Sequence, residues 1–413
     1  MAARKTQTPA DSTIFPVDST ATSNGSKPNP RSLLQTLRTE VNQYVLEREE
    51  VIDGIIAALL AKKHVVQIGP KGCAKSFTCD LIASAFCDLN YFSKLLHQDT
   101  PPDELFGPPN LKELRDNGVL KRNIEGRLPW AHLANLEEIF NGPDMLFGSL
   151  HRVANERIFE NPTPEDCPLF SIIGSSNHLP GEKAEAFLDR ILLKYPVDYL
   201  QDPANKKKLM MNRVKPNIQT KISLADLVTM HSEVEQVKFP EIIADTLLNL
   251  ELKLAQEMSI FISDCRRGDI IDLLKAYAYM LGEDAVSEEH LDILPYCLWN
   301  DPKQMGGINS IVLQIGSPVT AKAIEVFDAA KQLYNQVGDI PSNAYEDKAN
   351  TWQVKASGST KQMKTMINDL NHLLASTPNA SPSAIRKVND TINKIEAMKN
   401  EVFEKVKSFL QQE

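Results

Sequence analysis

Several things are missing from this chain of 413 residues, and each absence narrows what it can be. No apolar run approaches the ~18 residues that a membrane helix needs, so a membrane span is not expected. The start of the chain lacks an apolar signal core, which argues against secretion. The six cysteines (Cys73, Cys79, Cys87, Cys167, Cys265 and Cys297) form no C-x-x-C pair. That spacing predicts reduced thiols of a cytoplasmic protein and neither a disulfide framework nor a zinc site. A basic excess is lacking too: the net charge is −9, which disfavours nucleic acid as a partner. The run Lys206–Lys208 is a local exception and reads as a solvated face.

The material for packed cores is present, with 42% hydrophobic and 24% charged residues. The length predicts two or three domains. Residues 1–28 are rich in Ser, Thr, Pro and Asn and read as a disordered tail. Asn29 and Pro30 then form a helix-start signal, followed by Leu33, Leu34, Leu37, Val41 and Val45 at helical spacing. A second stripe runs through Ile52, Ile55, Ile56, Leu59 and Leu60.

From residue 64 the pattern turns to alternating strands and helices. Strand candidates are VVQI (65–68), YFSKLL (91–96), HLANLEE (132–138), LFSIIGSSN (169–177) and ILLKYPVDY (191–199). They predict an α/β domain built on a parallel sheet. Residues 220–300 contain no strand-like run and predict a helical bundle, with SEEHLDILPYCLW as one of its helices. Beyond 301 the chain stays helical: Ile324, Phe327, Ala330 and Tyr334 share one face, and Met363, Met366, Ile367, Leu370 and Leu374 another. A last helix, with Ser381 as cap and Pro382 in its first turn, carries Ile385, Val388, Ile392, Ile395, Val402, Val406 and Phe409. The run is short, so a bundle core within one chain is expected before an intermolecular coiled coil.

The chemistry starts at GPKGCAKS, directly after VVQI and before a helical SFTCDLIASAF. Between a strand and a helix this is a phosphate-binding loop, running from Gly69, Pro70, Lys71 and Gly72 through Cys73, Ala74, Lys75 and Ser76 to Phe77. Backbone amides of such a loop surround phosphates, the lysine reaches the β/γ-phosphates, and the Ser76 hydroxyl ligates Mg²⁺. Ala74 stands where glycine is usual: a helical backbone there tolerates alanine, and a positive φ strains it. Cys73 could be a reactive thiol at a helix start, and the plainer reading is a small side chain that fits a tight loop.

An apolar strand ending in acids should follow, to hold the metal and activate water. HLANLEE supplies Glu137 and Glu138, although the first of the pair is ordinarily Asp. Glu138 is the residue type that polarises an attacking water. An exposed acidic pair at a strand end is the plainer alternative. Asn177, at the tip of SIIGSSN, could orient that water, and alone it is a turn residue. Arg190 in FLDRILLK could stabilise charge in a neighbouring subunit's site, with a surface pair to Asp189 as the even alternative.

The order GPKGCAKS, LEE, SSN, LDR resembles a MoxR-type AAA+ ATPase, of the RavA branch. That family writes its loop GPPGxAKS or GPPGxGKT, so Ala74 is a family variant. TPPDELFGP (100–108) is similar to the family's TPEEVFGP. SSNHLPGEKAEAFLDRILLK resembles its sensor-1 to arginine-finger segment, and Arg157 in NERIF is the alternative finger. SDCRRGDIIDLLKAYAYMLGEDAVSEEHLDILPYCLW resembles its lid. The likeness spans residues 31–302.

It implies an αβα nucleotide-binding core over 29–205, a helical lid over 206–302, and a C-terminal helical region over 303–413. It also implies ATP and Mg²⁺ at the interfaces of a hexameric ring, and a protein client bearing a von Willebrand factor A domain. The expected activity is ATP hydrolysis that remodels or assembles that client. An ATP-binding scaffold with little turnover is the alternative, and a nucleic-acid motor is disfavoured by charge. Three departures stand out. Lys71 replaces the loop's second proline, and Glu137 replaces the magnesium-associated aspartate. Cys265 occupies the usual sensor-2 position, leaving Arg266 or Arg267 to contact ATP. The small β-rich module found in RavA-like proteins after the lid is not expected here.

Overall fold

A computed structural model describes residues 29–181, 187–211, 215–338, 346–377 and 382–410. The expected tail over 1–28 and the Ser381 cap lie outside the described residues.

The first helix, α1 (Pro30–Tyr44), is capped by the Asn29 side chain on Arg31 N–H and buries Leu34, Leu37 and Val41. The second, α2 (Glu49–Ala61), is apolar almost all round and is buried along nearly its whole length, as such a helix must be. Its buried Asp53 is held by Arg38 of α1 through two parallel bonds of 2.6 and 2.5 Å.

Strand β1 (Val65–Ile68) is buried at every position and leads through the loop into α3 (Lys75–Ser84). Then come β2 (Tyr91–Leu95), α4 (Pro102–Phe106), α5 (Leu111–Asn117), β3 (Leu133–Glu137) and α6 (Asp144–Glu156). A small hairpin, β4 (Ile158–Glu160) and β5 (Pro164–Asp166), precedes β6 (Ser171–Ser176) and β7 (Leu193–Pro196). The main sheet runs β2-β3-β6-β1-β7, with every pair parallel. Chain neighbours β1 and β2 are therefore far apart. A crevice opens at the carboxyl ends of the strands, where open α/β sheets bind ligands.

After β7 follow α7 (Pro203–Met211), α8 (Leu224–Glu235), α9 (Glu241–Met258) and α10 (Asp264–Leu281). SEEHLDILPYCLW is not one helix: a 3-10 turn over Glu288–Ile293 gives way to the short α11 (Pro295–Leu298). Pro295 lacks the N–H that would continue the preceding turn and starts a new helix instead. Helix α12 (Met305–Gly316) packs on α9 and adds Ile308, Ile311 and Val312 to the core shared with the sheet domain.

The remaining helices, α13 (Pro318–Val337), α14 (Glu346–Ser376) and α15 (Pro382–Leu410), bury a second core around Ala330, Met363, Leu370, Val388 and Ile395. They run up, down and up: Trp352 donates to the Val337 carbonyl, and Tyr334 reaches Glu401. Phe327 and Tyr334 pack here as the spacing predicts, while Ile324 is 40% exposed and lines a groove with Asn309 and Leu313 of α12 and Lys387 of α15. No described helix is long and apolar enough to cross a membrane.

Core and lid meet at a buried lysine. Trp299 donates its indole N–H to the Lys194 carbonyl at 2.9 Å. The Lys194 ammonium lies 5.2 Å above the Trp299 ring, and the residue is 1% exposed. Burial, reinforced by Arg266, pushes its pKa from 10.5 down to about 8. The unfolded chain therefore holds more protons than the folded one between those values, and stability rises with pH across that window. Below pH 8 the full cost of burying the charge is present. Lys194→Met is expected to stabilise the fold at pH 7 by on the order of 2 kcal/mol, a gain that shrinks toward pH 10.5. Melting curves across that range check it; equal stability at pH 7 would mean that the Trp299 face and Asn300 Oδ1, which accepts from the ammonium at 3.5 Å, offset the burial.

Candidate nucleotide site

Because all the strands are parallel, Gly69, Glu137, Asn177 and Val197 emerge along one edge of the sheet. Gly69 N–H donates to the Ser176 carbonyl at 3.0 Å and Val197 N–H to Ile68 at 2.8 Å, so the loop leaves β1 clamped between β6 and β7. A Cβ at Gly69 would land on the Val197 carbonyl, which requires glycine there. Gly72 and Ala74 both take left-handed backbone, with φ of 83° and 64°. Left-handed residues curl a loop so that its amides converge on an anion. Ala74 thus falls on the strained side of the two expectations, at a cost of about 1 kcal/mol relative to glycine.

Cys73 is 7% exposed and its thiol donates to the Pro70 carbonyl at 2.8 Å, which favours a packing role. Lys71 is exposed, and its carbonyl accepts from the Tyr199 hydroxyl at 3.1 Å. Ser76 is half-buried in the first turn of α3, with Phe77 beside it and 39% exposed.

Lys75 is the pivot. Only 8% exposed, its ammonium donates to the carbonyls of Gly69 (2.6 Å) and Pro70 (2.8 Å) and to Asn177 Oδ1 (3.0 Å). These oxygens are neutral, as is the one further partner, Cys73 Sγ at 3.9 Å, so a buried positive charge sits in a curled loop at a helix start without a carboxylate at hydrogen-bond distance. Buried charges are costly unless paired, and an anionic ligand supplies the pairing. The Asn177 amide in turn donates to Glu138 Oε1, and Asn141 donates to Glu138 Oε2 at 3.2 Å. Glu138 has a left-handed backbone (φ 49°), which turns it off the end of β3. Lys75, Asn177 and Glu138, far apart in sequence, therefore form one hydrogen-bonded chain.

Beside the loop lies a cavity of about 290 Å³. One wall is Tyr44, Val45, Leu46 and Arg48, between α1 and α2; the other is Tyr199, Leu200, Lys206, Leu209 and Met210. Gly72, Cys73 and Ala74 form its floor. An apolar slot opening onto a phosphate loop suits a nucleoside triphosphate. Sequence reasoning missed both walls. Their residues carry no motif, and the only trace was the position of the two segments on either side of the αβα unit.

Ser76 lies in the first turn of α3 and Glu137 ends β3. A hydroxyl and a carboxylate are the oxygen donors that Mg²⁺ takes alongside waters and phosphate oxygens. No cluster of three or more His, Cys, Asp or Glu that could hold a metal without phosphate occurs among the described residues.

The arginines divide. Arg190 is exposed and donates from Nε to His151 Nε2 at 2.9 Å. Arg266 donates to the Cys297 carbonyl (2.7 and 3.2 Å) and to Asp189 (3.0 Å), joining the lid to the turn that carries Arg190. Arg267 pairs with Glu251 and Asp264, and Cys265 is exposed. In this arrangement the Arg266 guanidinium serves backbone carbonyls at the lid junction and is not drawn to the loop. Arg157 lies at the opposite edge of the sheet. It donates to the carbonyls of Lys62 and Phe170, the residues leading into β1 and β6, beside the buried His64. Burial pushes its pKa down to about 10.

Comparison with known proteins agrees with this architecture. Residues 32–236 match the family described as the MoxR domain in the MoxR-vWA-beta-propeller ternary systems, and residues 242–312 match an AAA lid domain. Two uncharacterized proteins of Methanocaldococcus jannaschii, MJ0812 and MJ0079, are 35% and 34% identical to the chain. These matches cover 75% and 74% of this chain and 82% and 80% of those proteins. Structural protein ORF618 of Acidianus two-tailed virus is 23% identical over 48% of this chain and 34% of its own length. A crystal structure of an ATPase candidate from Cytophaga hutchinsonii shares the fold, with a TM-score of 0.55 at 18% identity. It covers 69% of this chain and 94% of that one. The chain belongs to the MoxR family of AAA+ ATPases, and its fold is an AAA+ αβα domain with a parallel sheet, followed by a helical lid and C-terminal helices.

Proposed function

We propose that the chain binds Mg-ATP in the cavity beside the loop and hydrolyses it at the subunit interfaces of a hexameric ring, driving the remodelling or assembly of a protein client. The observation that carries this reading is the chain from Lys75 through Asn177 to Glu138 at the carboxyl edge of the sheet. Lys75 binds the β/γ-phosphates, and the amides of Gly69–Phe77 surround them. Magnesium would neutralise phosphate charge when bound, and Ser76 and Glu137 are the residues that would hold it. Glu138 takes a proton from the attacking water, which Asn177 orients. When the phosphates draw Lys75 away from the Asn177 oxygen, the Asn177 amide is freed to turn, and its grip on Glu138 loosens. Proton abstraction is thereby tied to an occupied site.

Arg190, exposed in the turn just before β7, reaches the adjacent subunit's phosphates. The client is a von Willebrand factor A domain protein, a reading supported by the ternary systems in which this MoxR domain type is described. A scaffold reading with slow turnover has two supports: Glu137 in place of aspartate, and a viral relative named a structural protein.

A mixing experiment tests the shared-site ring. Arg190→Ala and Glu138→Gln are each expected to hydrolyse ATP at about 1% of the wild-type rate or less. Mixed in equal amounts, they should recover about a quarter of wild-type activity, since a quarter of random interfaces pair an intact Glu138 with an intact Arg190. A mass rising to the hexamer on adding ATP should accompany it. No recovery in a mixture that forms rings would show that Arg190 is not the trans-acting residue.

A further inference from the structure

Glu47 has no place in the phosphate machinery and does not line the cavity, yet it links the two segments that form the walls. It sits between α1 and α2 with left-handed backbone (φ 57°), a conformation that costs a non-glycine residue energy and persists only where its surroundings require it. Its Oε2 accepts from Gln201 N–H at 2.7 Å. Its Oε1 accepts from Asp202 N–H at 3.0 Å and from the Asn205 side-chain amide at 3.1 Å. These donors belong to the entrance and first turn of α7, the helix whose Lys206, Leu209 and Met210 line the far wall. The next residue, Arg48, donates to the Asp198 carbonyl. The two walls of the cavity are thus tied across a gap of some 150 residues in sequence, with Glu47 at the α7 end.

We propose that Glu47 is the positioning residue for the nucleoside half of the site: it fixes α7 against the α1–α2 link so that the cavity has the width of a nucleobase. This rests on the ATP reading above and adds a division of labour to it. None of the bonds that hold Lys75 involves Glu47 or its three partners. Loss of the clasp leaves the phosphate loop as it was and loosens the wall against which the base stacks. Leu209 and Met210 are 55% and 74% exposed, so they hold their places through the start of α7 and not through burial. The hydrogen bonds, that from Gln201 foremost, hold the Glu47 carboxyl below the usual carboxylate range, so the clasp is charged at neutral pH. Its position at the start of α7 also suits the helix dipole.

The test compares a ligand with a base to one without. Mg-ATP and Mg-tripolyphosphate are titrated calorimetrically into wild type, Glu47→Ala, Glu47→Gln and Lys75→Ala. Glu47→Ala should lose about tenfold in ATP affinity, from the loss of its charge-assisted bonds to the start of α7, and bind tripolyphosphate as wild type does. Glu47→Gln keeps an oxygen for Asp202 and Asn205 but turns an amide toward Gln201 N–H, so it should fall between the two. Lys75→Ala should lose both ligands. Equal loss of ATP and tripolyphosphate in Glu47→Ala, or loss of neither, overturns the clasp while the ATP site stands. Wild type that binds neither ligand overturns the site itself and the clasp with it.

Discussion

Glu138→Gln is expected to slow ATP hydrolysis by about a thousandfold while leaving ATP affinity within a few-fold of wild type. The substitution keeps size and removes the one group at the strand edge able to accept a proton while held beside Asn177. Its effect on geometry is small but specific. Asn177 and Asn141 both donate amide protons to the Glu138 carboxylate, one to each oxygen. A glutamine presents an amide of its own to one of them, so one of these bonds must break. The loss in rate therefore combines the missing base with a misplaced Asn177, and it should appear in kcat, with KM nearly unchanged. Phosphate release against time, with binding measured separately, distinguishes these. A variant that still hydrolyses at the wild-type rate would mean that another group activates the water.

Lys75→Ala acts earlier and is expected to remove ATP binding, with affinity down by on the order of a hundredfold or more, from charge-assisted bonds worth ~1.5–3 kcal/mol each. The loop carbonyls of Gly69 and Pro70 lose their common donor, and Asn177 loses the contact at its oxygen. The fold should survive, because the loop stays fixed by Gly69 on Ser176 and by the thiol of Cys73 on Pro70. Melting without nucleotide should thus differ little from wild type, and the ATP-induced rise in melting temperature should vanish.

Much of this was legible because it depends on short-range pattern. VVQI is strand β1, residue for residue, an interior strand between β6 and β7, since a β-branched apolar run bounded by glycine has few other uses. The motif order brought Lys75, Glu138 and Asn177 into view, because parallel strands deliver their ends to one edge whatever lies between. Backbone sign was not legible: Ala74 fits a helical or a left-handed turn equally well until the loop's closure is known. The same holds for the sensor-2 candidates, since Arg266 and Arg267 are adjacent and only packing shows that one meets carbonyls and the other Glu251. The β4–β5 hairpin has three residues per strand, too few to show a period. Ile324 shares a helical face with Phe327 by spacing, yet the stripe is wider than the surface that α14 and α15 cover. The nucleoside walls were the largest omission. Tyr44–Arg48 and Tyr199–Met210 converge only after the sheet has formed, and no residue type marks them beforehand.

The most direct measurement is a titration of Mg-ATP into wild type and Lys75→Ala side by side, followed by heat or by melting temperature. Wild type should bind one ATP per chain, with Lys75→Ala folded and silent. Equal binding by both proteins would place ATP somewhere other than the loop at the end of β1 and contradict the site described above.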